Sequence, residues 1–175
     1  MLDTPTPDQV AFLEPVERFC REELPVLAAH CEETGEPPSR EWKKKFADLG
    51  VLGLNASEAF GGLGLSATDA VMVLERFAAV SSAAAFPVFE ALVGPVRIIE
   101  KFGTAELARR IVTAVISGDI VVAISMSEPG AGTALTDLTT RARIDGDEII
   151  LNGTKRWCSG GGSADAYAVF CRLSD

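Results

Sequence analysis

Histidine is almost missing from this sequence: His30 is the single one in 175 residues. The four cysteines, Cys20, Cys31, Cys158 and Cys171, include no C-x-x-C pair. A zinc centre or a Cys–His nucleophile therefore lacks its parts. On one continuous helix Cys20 and Cys31 would lie about 16 Å apart, too far for a disulfide, so free thiols in a reducing compartment are expected. Clustered positive charge is scarce as well. The formal net charge is −9, and the one dense basic run is Lys43-Lys44-Lys45, which reads as a solvated helix face. A nucleic-acid or anionic-membrane surface needs far more Lys and Arg in one place. No stretch approaches the roughly 18 uninterrupted apolar residues of a membrane span. The first fifteen residues hold Asp3, Asp8 and three prolines but no basic-then-apolar leader. These absences predict a cytoplasmic protein with no nucleic-acid partner and no membrane insertion.

What is present is an ordinary globular composition, 47% hydrophobic, at a length that buries a core. From Asp8 to Gly118 the apolar period is helical. Val10, Leu13, Val16, Cys20, Leu24 and Leu27 step along one face until Glu36-Pro37-Pro38. Ser39 is placed to cap a helix with Trp42, Phe46 and Leu49 inward and Gly50 at its exit. Ser66 and Asp69 have capping-box spacing before a helix carrying Val71, Leu74 and Val80. Ala83 to Phe102 is very apolar, with a break at Gly94-Pro95, and is expected to be buried. Thr104 caps a last helix with Leu107, Ile111 and Val115, closed by Gly118.

After Gly118 the period becomes that of strands. Ile120 to Met126 is apolar and rich in β-branched residues, and Asp145-Gly146 and Asn152-Gly153 are hairpin signals of the primed kind. They separate expected strands at Thr139–Ile144, Glu148–Leu151 and Thr154–Cys158, with Tyr167–Arg172 following the Gly160-Gly161-Gly162 loop. Helices first and an antiparallel meander second define an α+β class: a helical domain over 1–118, then a β-domain over 119–175. The sequence stops directly after a strand, so an incomplete β-domain is expected.

The segment Ser125-Met126-Ser127-Glu128-Pro129-Gly130-Ala131-Gly132-Thr133 follows the first expected strand. A dinucleotide-binding turn is a poor reading of Gly130-x-Gly132, because Leu135 stands at the third glycine position and no phosphate-capping helix follows. Instead, Ser127 to Thr133 resembles the T-E-P-G-A-G-S signature of acyl-CoA dehydrogenases. The resemblance runs on without a gap through Gly146-Asp147-Glu148, Leu151-Asn152-Gly153-x-Lys155, Trp157 and the glycines before Ser163-Ala164-Asp165. Upstream, Phe60-Gly61-Gly62-Leu63-Gly64-Leu65-Ser66, Phe102-Gly103 and Ser117-Gly118 are similar to family segments of the helical domain. It covers essentially the whole chain, and the order and spacing of the pieces make it specific.

That resemblance implies an N-terminal helical domain, a middle β-domain and FAD as cofactor. By it, FAD is bound by the loop Ile124, Ser125, Met126, Ser127, Gly132 and Thr133 and by Trp157, Cys158 and Ser159. The Ser127 hydroxyl and Met126 backbone would meet the pyrimidine edge of the isoalloxazine, Ser159 would bond near N5, and Trp157 would lie against the ring; a flavin site needs such groups to tune the cofactor. Thr133 stands where relatives contact the CoA part of the substrate. Two departures stand out: Ala134 replaces the usual Asp, and Cys158-Ser159 replaces an Ile-Thr pair. The implied reaction is α,β-dehydrogenation of an acyl-CoA, with an electron-transfer flavoprotein as acceptor and a homo- or hetero-oligomer as the assembly. Its catalytic glutamate belongs to a C-terminal helical domain, so no catalytic base is expected among these residues, Glu128 included, and the chain alone is expected to be inactive. Two alternatives are a flavin monooxygenase or oxidase of the same fold, and a non-catalytic half-length subunit completing a partner's FAD site.

Overall fold

The computed structural model describes residues 4–174, in two compact units, Met1–Val121 and Val122–Asp175. The first is helical: α1 (Pro7–Glu22), α2 (Leu24–Thr34), α3 (Arg40–Asp48), α4 (Ala67–Val80), α5 (Ser82–Val93), α6 (Pro95–Phe102) and α7 (Ala105–Ile116). The second carries β1 (Val122–Ser125), β2 (Arg141–Asp145), β3 (Glu148–Asn152), β4 (Ala166–Val169) and β5 (Arg172–Ser174). Helices followed by a partial β-domain match the α+β order expected from the sequence.

Helix starts follow side-chain chemistry. Thr6 and Gln9 form one capping box and Ser66 and Asp69 another, each satisfying amide donors that a helix N-terminus leaves open. The two boxes are joined, because the Gln9 side-chain amide donates to Asp69 Oδ1 at 2.7 Å, which ties the start of α1 to the start of α4. The Ser66 hydroxyl first, and Gln9 with it, holds the Asp69 carboxyl below its ordinary range. The single long first helix suggested by periodicity is instead α1 and α2, broken at Glu23. Pro25 cannot donate to the carbonyl one turn back, so the helical ladder is interrupted there.

The core centres on Phe19, Phe46 and Phe77, whose ring centroids lie 5.5 to 5.9 Å apart, with Phe46 and Phe77 fully buried. On α4 the buried face is Ala70, Val73 and Phe77, while Val71 and Val80 are exposed, so the sequence-derived face was rotated by about one residue. Val10 is likewise exposed. The break at Gly94-Pro95 is real, yet Ala83–Phe102 is not buried throughout: Val88, Leu92 and Val96 point inward, whereas Phe102 is 76% exposed. By length and composition Ser82–Phe102 passes for a membrane span, but half of it is buried inside the fold. Such a half-buried pair of helices is what the core of a globular unit also contains. The Lys43-Lys44-Lys45 face is not simply solvated, since Lys44 donates to the Ser117 carbonyl at 2.7 Å and Lys45 to Glu23 at 2.8 Å.

In the β-unit the strands make a two-stranded sheet, β1 with β4, and a three-stranded sheet in the order β3-β2-β5. Only β2–β3 is antiparallel; β1–β4 and β2–β5 are parallel. This corrects the expected meander. Parallel neighbours need a long crossover, and the β2–β3 hairpin lies within the one that joins β1 to β4. The first hairpin turn is one residue later than expected: Asp145 pairs with Glu148, leaving Gly146-Asp147 as the loop. Positive φ at Gly146 and negative φ at Asp147 are the signs of a type II′ turn, still of the primed class. The second expected turn, Asn152-Gly153, is absent, as is a strand over Thr154–Cys158. Gly153 is near-extended at φ 158°, and what it supplies is space: a Cβ there would sit 2.3 Å from Thr140 Oγ1 and 2.7 Å from Thr140 Cα. The expected strand Tyr167–Arg172 is two strands, β4 and β5, which join different sheets.

Candidate functional site

Beyond β1 the chain turns tightly at Glu128-Pro129-Gly130-Ala131, where the Glu128 amide donates to the Ala131 carbonyl at 2.8 Å and the return bond measures 3.2 Å. Pro129 at the second turn position presets the required φ. A single 3-10 turn, Leu135–Asp137, follows instead of a helix, which removes the dinucleotide-turn reading.

Glu128 is the buried centre of this loop. Its carboxylate accepts from the Thr139 amide and hydroxyl, each at 2.7 Å, from the Thr140 amide at 2.8 Å and from Lys155 Nζ at 2.9 Å. The Lys155 ammonium foremost, then Thr140, holds its carboxyl well below the usual carboxylate range. A carboxylate so held, with its lone pairs occupied by structural donors, is a poor proton acceptor. Its chemistry is that of a loop anchor.

Lys155 completes the anchor by donating also to the Met126 carbonyl at 2.9 Å, and the Arg156 amide donates to the Ser127 carbonyl at 3.0 Å. These bonds bring the 124–133 loop beside the 155–159 segment, the two stretches from which a flavin site was expected. Ile124 and Ser125 lie on β1, with Ser125 buried; Met126, Ser127 and Cys158 are half-buried; Gly132, Thr133 and Ser159 are exposed. The hydroxyls of Ser127, Thr133 and Ser159 have no hydrogen-bond partner among the described residues.

Trp157 is the conformational outlier. It is the only non-glycine residue at positive φ among the described residues, at 60°, and it is 79% exposed. A bulky residue in that region costs on the order of 1–3 kcal/mol and persists where surrounding structure holds it. Here the flanking bonds of Lys155 and Arg156 hold it, and the Arg156 guanidinium lies 4.3 Å from the indole centroid. Sequence reasoning missed Arg156, and it missed Thr139 and Thr140 as partners of Glu128. Nothing in their types or spacing marks them.

In the helical unit the densest polar cluster is around Asp119, which accepts from the Ser117 hydroxyl at 2.6 Å, Lys44 at 2.9 Å and Arg40 at 3.0 Å. Ser117 first, then Lys44, holds that carboxyl well down. It closes the end of α7 against α3 and offers no group for chemistry.

The fold and this loop pairing place the chain among known proteins. Residues 6–119 match the acyl-CoA dehydrogenase N-terminal domain and residues 123–175 the middle domain, so the chain belongs to the acyl-CoA dehydrogenase family. It is similar to a 3-sulfinopropanoyl-CoA desulfinase of Variovorax paradoxus, 38% identical over 83% of this chain and 36% of that protein. A mitochondrial isobutyryl-CoA dehydrogenase of Dictyostelium discoideum is 32% identical over 95% of this chain and 40% of the relative. Among solved structures, a glutaryl-CoA dehydrogenase of Mycobacterium smegmatis in complex with FADH2 superimposes with a TM-score of 0.89 at 27% identity, over 98% of this chain and 44% of that one. The chain thus spans less than half the length of these relatives.

Proposed function

We propose that this chain supplies flavin- and acyl-CoA-binding surface to a FAD-dependent acyl-CoA dehydrogenase. The observation that carries it is the junction of the Ser127 and Trp157 segments, which carry an exposed indole at positive φ and hydroxyls that have no partner among the described residues. This donor set fits a flavin: a planar apolar surface for the isoalloxazine and hydroxyl and amide groups for its polar edge. When bound, the flavin would accept the β-hydride of the substrate.

The residues of this chain bind and orient. Ser127 and the Met126 backbone address the pyrimidine edge, Ser159 and the Cys158 backbone the region of N5, and Trp157 one ring face, with Ile124, Ser125 and Gly132 shaping the loop. Thr133 offers a hydroxyl to the CoA part of the substrate. Glu128 keeps the loop in place and takes no proton. The α-proton is removed by a base outside these residues, and an electron-transfer flavoprotein takes the electrons. A cytoplasmic location and an oligomeric assembly belong to the same reading.

The similarity to the desulfinase supports a second reading, in which the C–S bond of a sulfinate-bearing acyl-CoA breaks, hydrogen takes its place on carbon, the sulfur leaves as sulfite after taking up water, and no net electrons pass to an acceptor. Anaerobic mixing of the flavin-loaded intact dehydrogenase that contains this chain, base included, with saturated acyl-CoAs and with 3-sulfinopropanoyl-CoA separates the two. Bleaching of the oxidised flavin by a saturated acyl-CoA supports dehydrogenation, whereas sulfite release with the flavin unbleached supports desulfination. Failure of that intact protein to bind FAD at all rejects both.

A further inference from the structure

We propose that Arg156 is a positioning residue for the flavin: its guanidinium covers one face of the Trp157 indole, so a planar ligand can stack only on the other. The proposal rests on the flavin reading above and deepens it. Three observations carry it. The guanidinium carbon lies 4.3 Å from the indole centroid, a distance at which a cation is attracted to the ring face. The Arg156 amide is bonded to the Ser127 carbonyl at 3.0 Å, so the backbone that carries the cation is anchored to the loop expected to hold the pyrimidine edge. Trp157 itself is at φ 60° and 79% exposed, so few packing contacts fix its ring and the guanidinium is the one cation stacked on it among the described residues.

The geometry has an electrostatic consequence. A permanent cation behind the indole would favour the anionic reduced form of a flavin held on the other face. Lysine in its place keeps the charge but loses the flat surface that stacks on an aromatic face. Glutamine keeps the length and loses the charge.

The test uses the whole chain in a Trp42→Phe background, which leaves Trp157 as the one indole of the two in the sequence. Acrylamide quenching of Trp157, measured without flavin, should rise by up to about a quarter in Arg156→Ala, as the face under the guanidinium of a residue already 79% exposed is uncovered. Titration with FAD, followed by quenching of the same indole, should show a dissociation constant raised roughly two- to five-fold in Arg156→Ala, the equivalent of an exposed cation–π contact. Arg156→Lys should recover part of that loss and Arg156→Gln should not. The reduction potential of bound flavin should be more negative in Arg156→Gln than in the parent. Equal acrylamide quenching in parent and Arg156→Ala would overturn the stack and with it the proposal. Equal FAD affinities and potentials across the variants, with the parent binding FAD, would overturn the positioning role and leave the flavin site standing. If FAD fails to quench Trp157 in the parent, the flavin reading itself falls and takes this role with it.

Discussion

Glu128 and Lys155 meet at 2.9 Å in the interior of the β-unit, and the same ammonium also holds the carbonyl of Met126. One side chain from the second segment thus pins both the buried carboxylate and the backbone of the loop that leads to it.

The pair predicts an acid limb of stability. The folded pKa of Glu128 is depressed, so its contribution is present above its ordinary value of 4.5 and is lost as pH falls below that toward the folded value. Glu128→Gln should be less stable than the parent near neutral pH and should converge with it under acid, because it has no such proton to take up. Urea unfolding, followed through the amide signals of Thr139 and Thr140, measures both; parallel pH curves for the two proteins would contradict the prediction.

Gly153→Ala places a methyl against Thr140, where both side-chain and backbone atoms are nearer than 3 Å. The expected cost is about 1–3 kcal/mol, typical of overpacking. Because Thr140 is also a donor to Glu128, the loop from Ser127 should loosen with it. Hydrogen exchange at the Arg156 amide, which bonds to Ser127, should speed up in this variant.

Flavin retention should depend on two serines. Ser127→Ala and Ser159→Ala each remove a hydroxyl expected to bond to the isoalloxazine, worth about 0.5–1.5 kcal/mol, or roughly two- to ten-fold in the FAD dissociation constant. A visible absorption band unshifted in both variants, at unchanged affinity, would count against the assigned contacts.

In the helical unit, Phe46→Ala should cost about 3–5 kcal/mol, since it opens a cavity between Phe19 and Phe77. Val71→Ala, on the exposed side of α4, should stay within about 0.5 kcal/mol. Thermal melts of the two variants make the comparison direct.

The thiols should divide by burial. Cys20 is buried, and desolvation first, then the charge of Glu17, pushes its pKa up to about 11. It should resist alkylation at mildly alkaline pH while the half-buried Cys158 and Cys171 react, as peptide mapping after brief iodoacetamide treatment would reveal.

The sequence by itself determined the local features: caps at Ser39, Ser66 and Thr104, stops at Gly50 and Gly94-Pro95, and a primed turn at Gly146, because each depends on atoms a few residues apart. The loop motif from Ser127 to Thr133 and its partner around Trp157 were legible for the same reason, as residue types at fixed spacing. Tertiary structure decided the rest. Whether Val71 or Val73 faces the core depends on where α1 lies, since both fit a helical period. Gly153 looked like a turn residue and is a spacer, because the backbone of Thr140, distant in sequence, passes against it. β1 pairs with β4 in parallel, and strand pairing across so long a crossover leaves no signature in either strand. Glu128 stands inside a recognisable motif, yet its role as an anchor became visible only when Thr139, Thr140 and Lys155 were found around it, for a carboxylate takes its acidity from its neighbours in space.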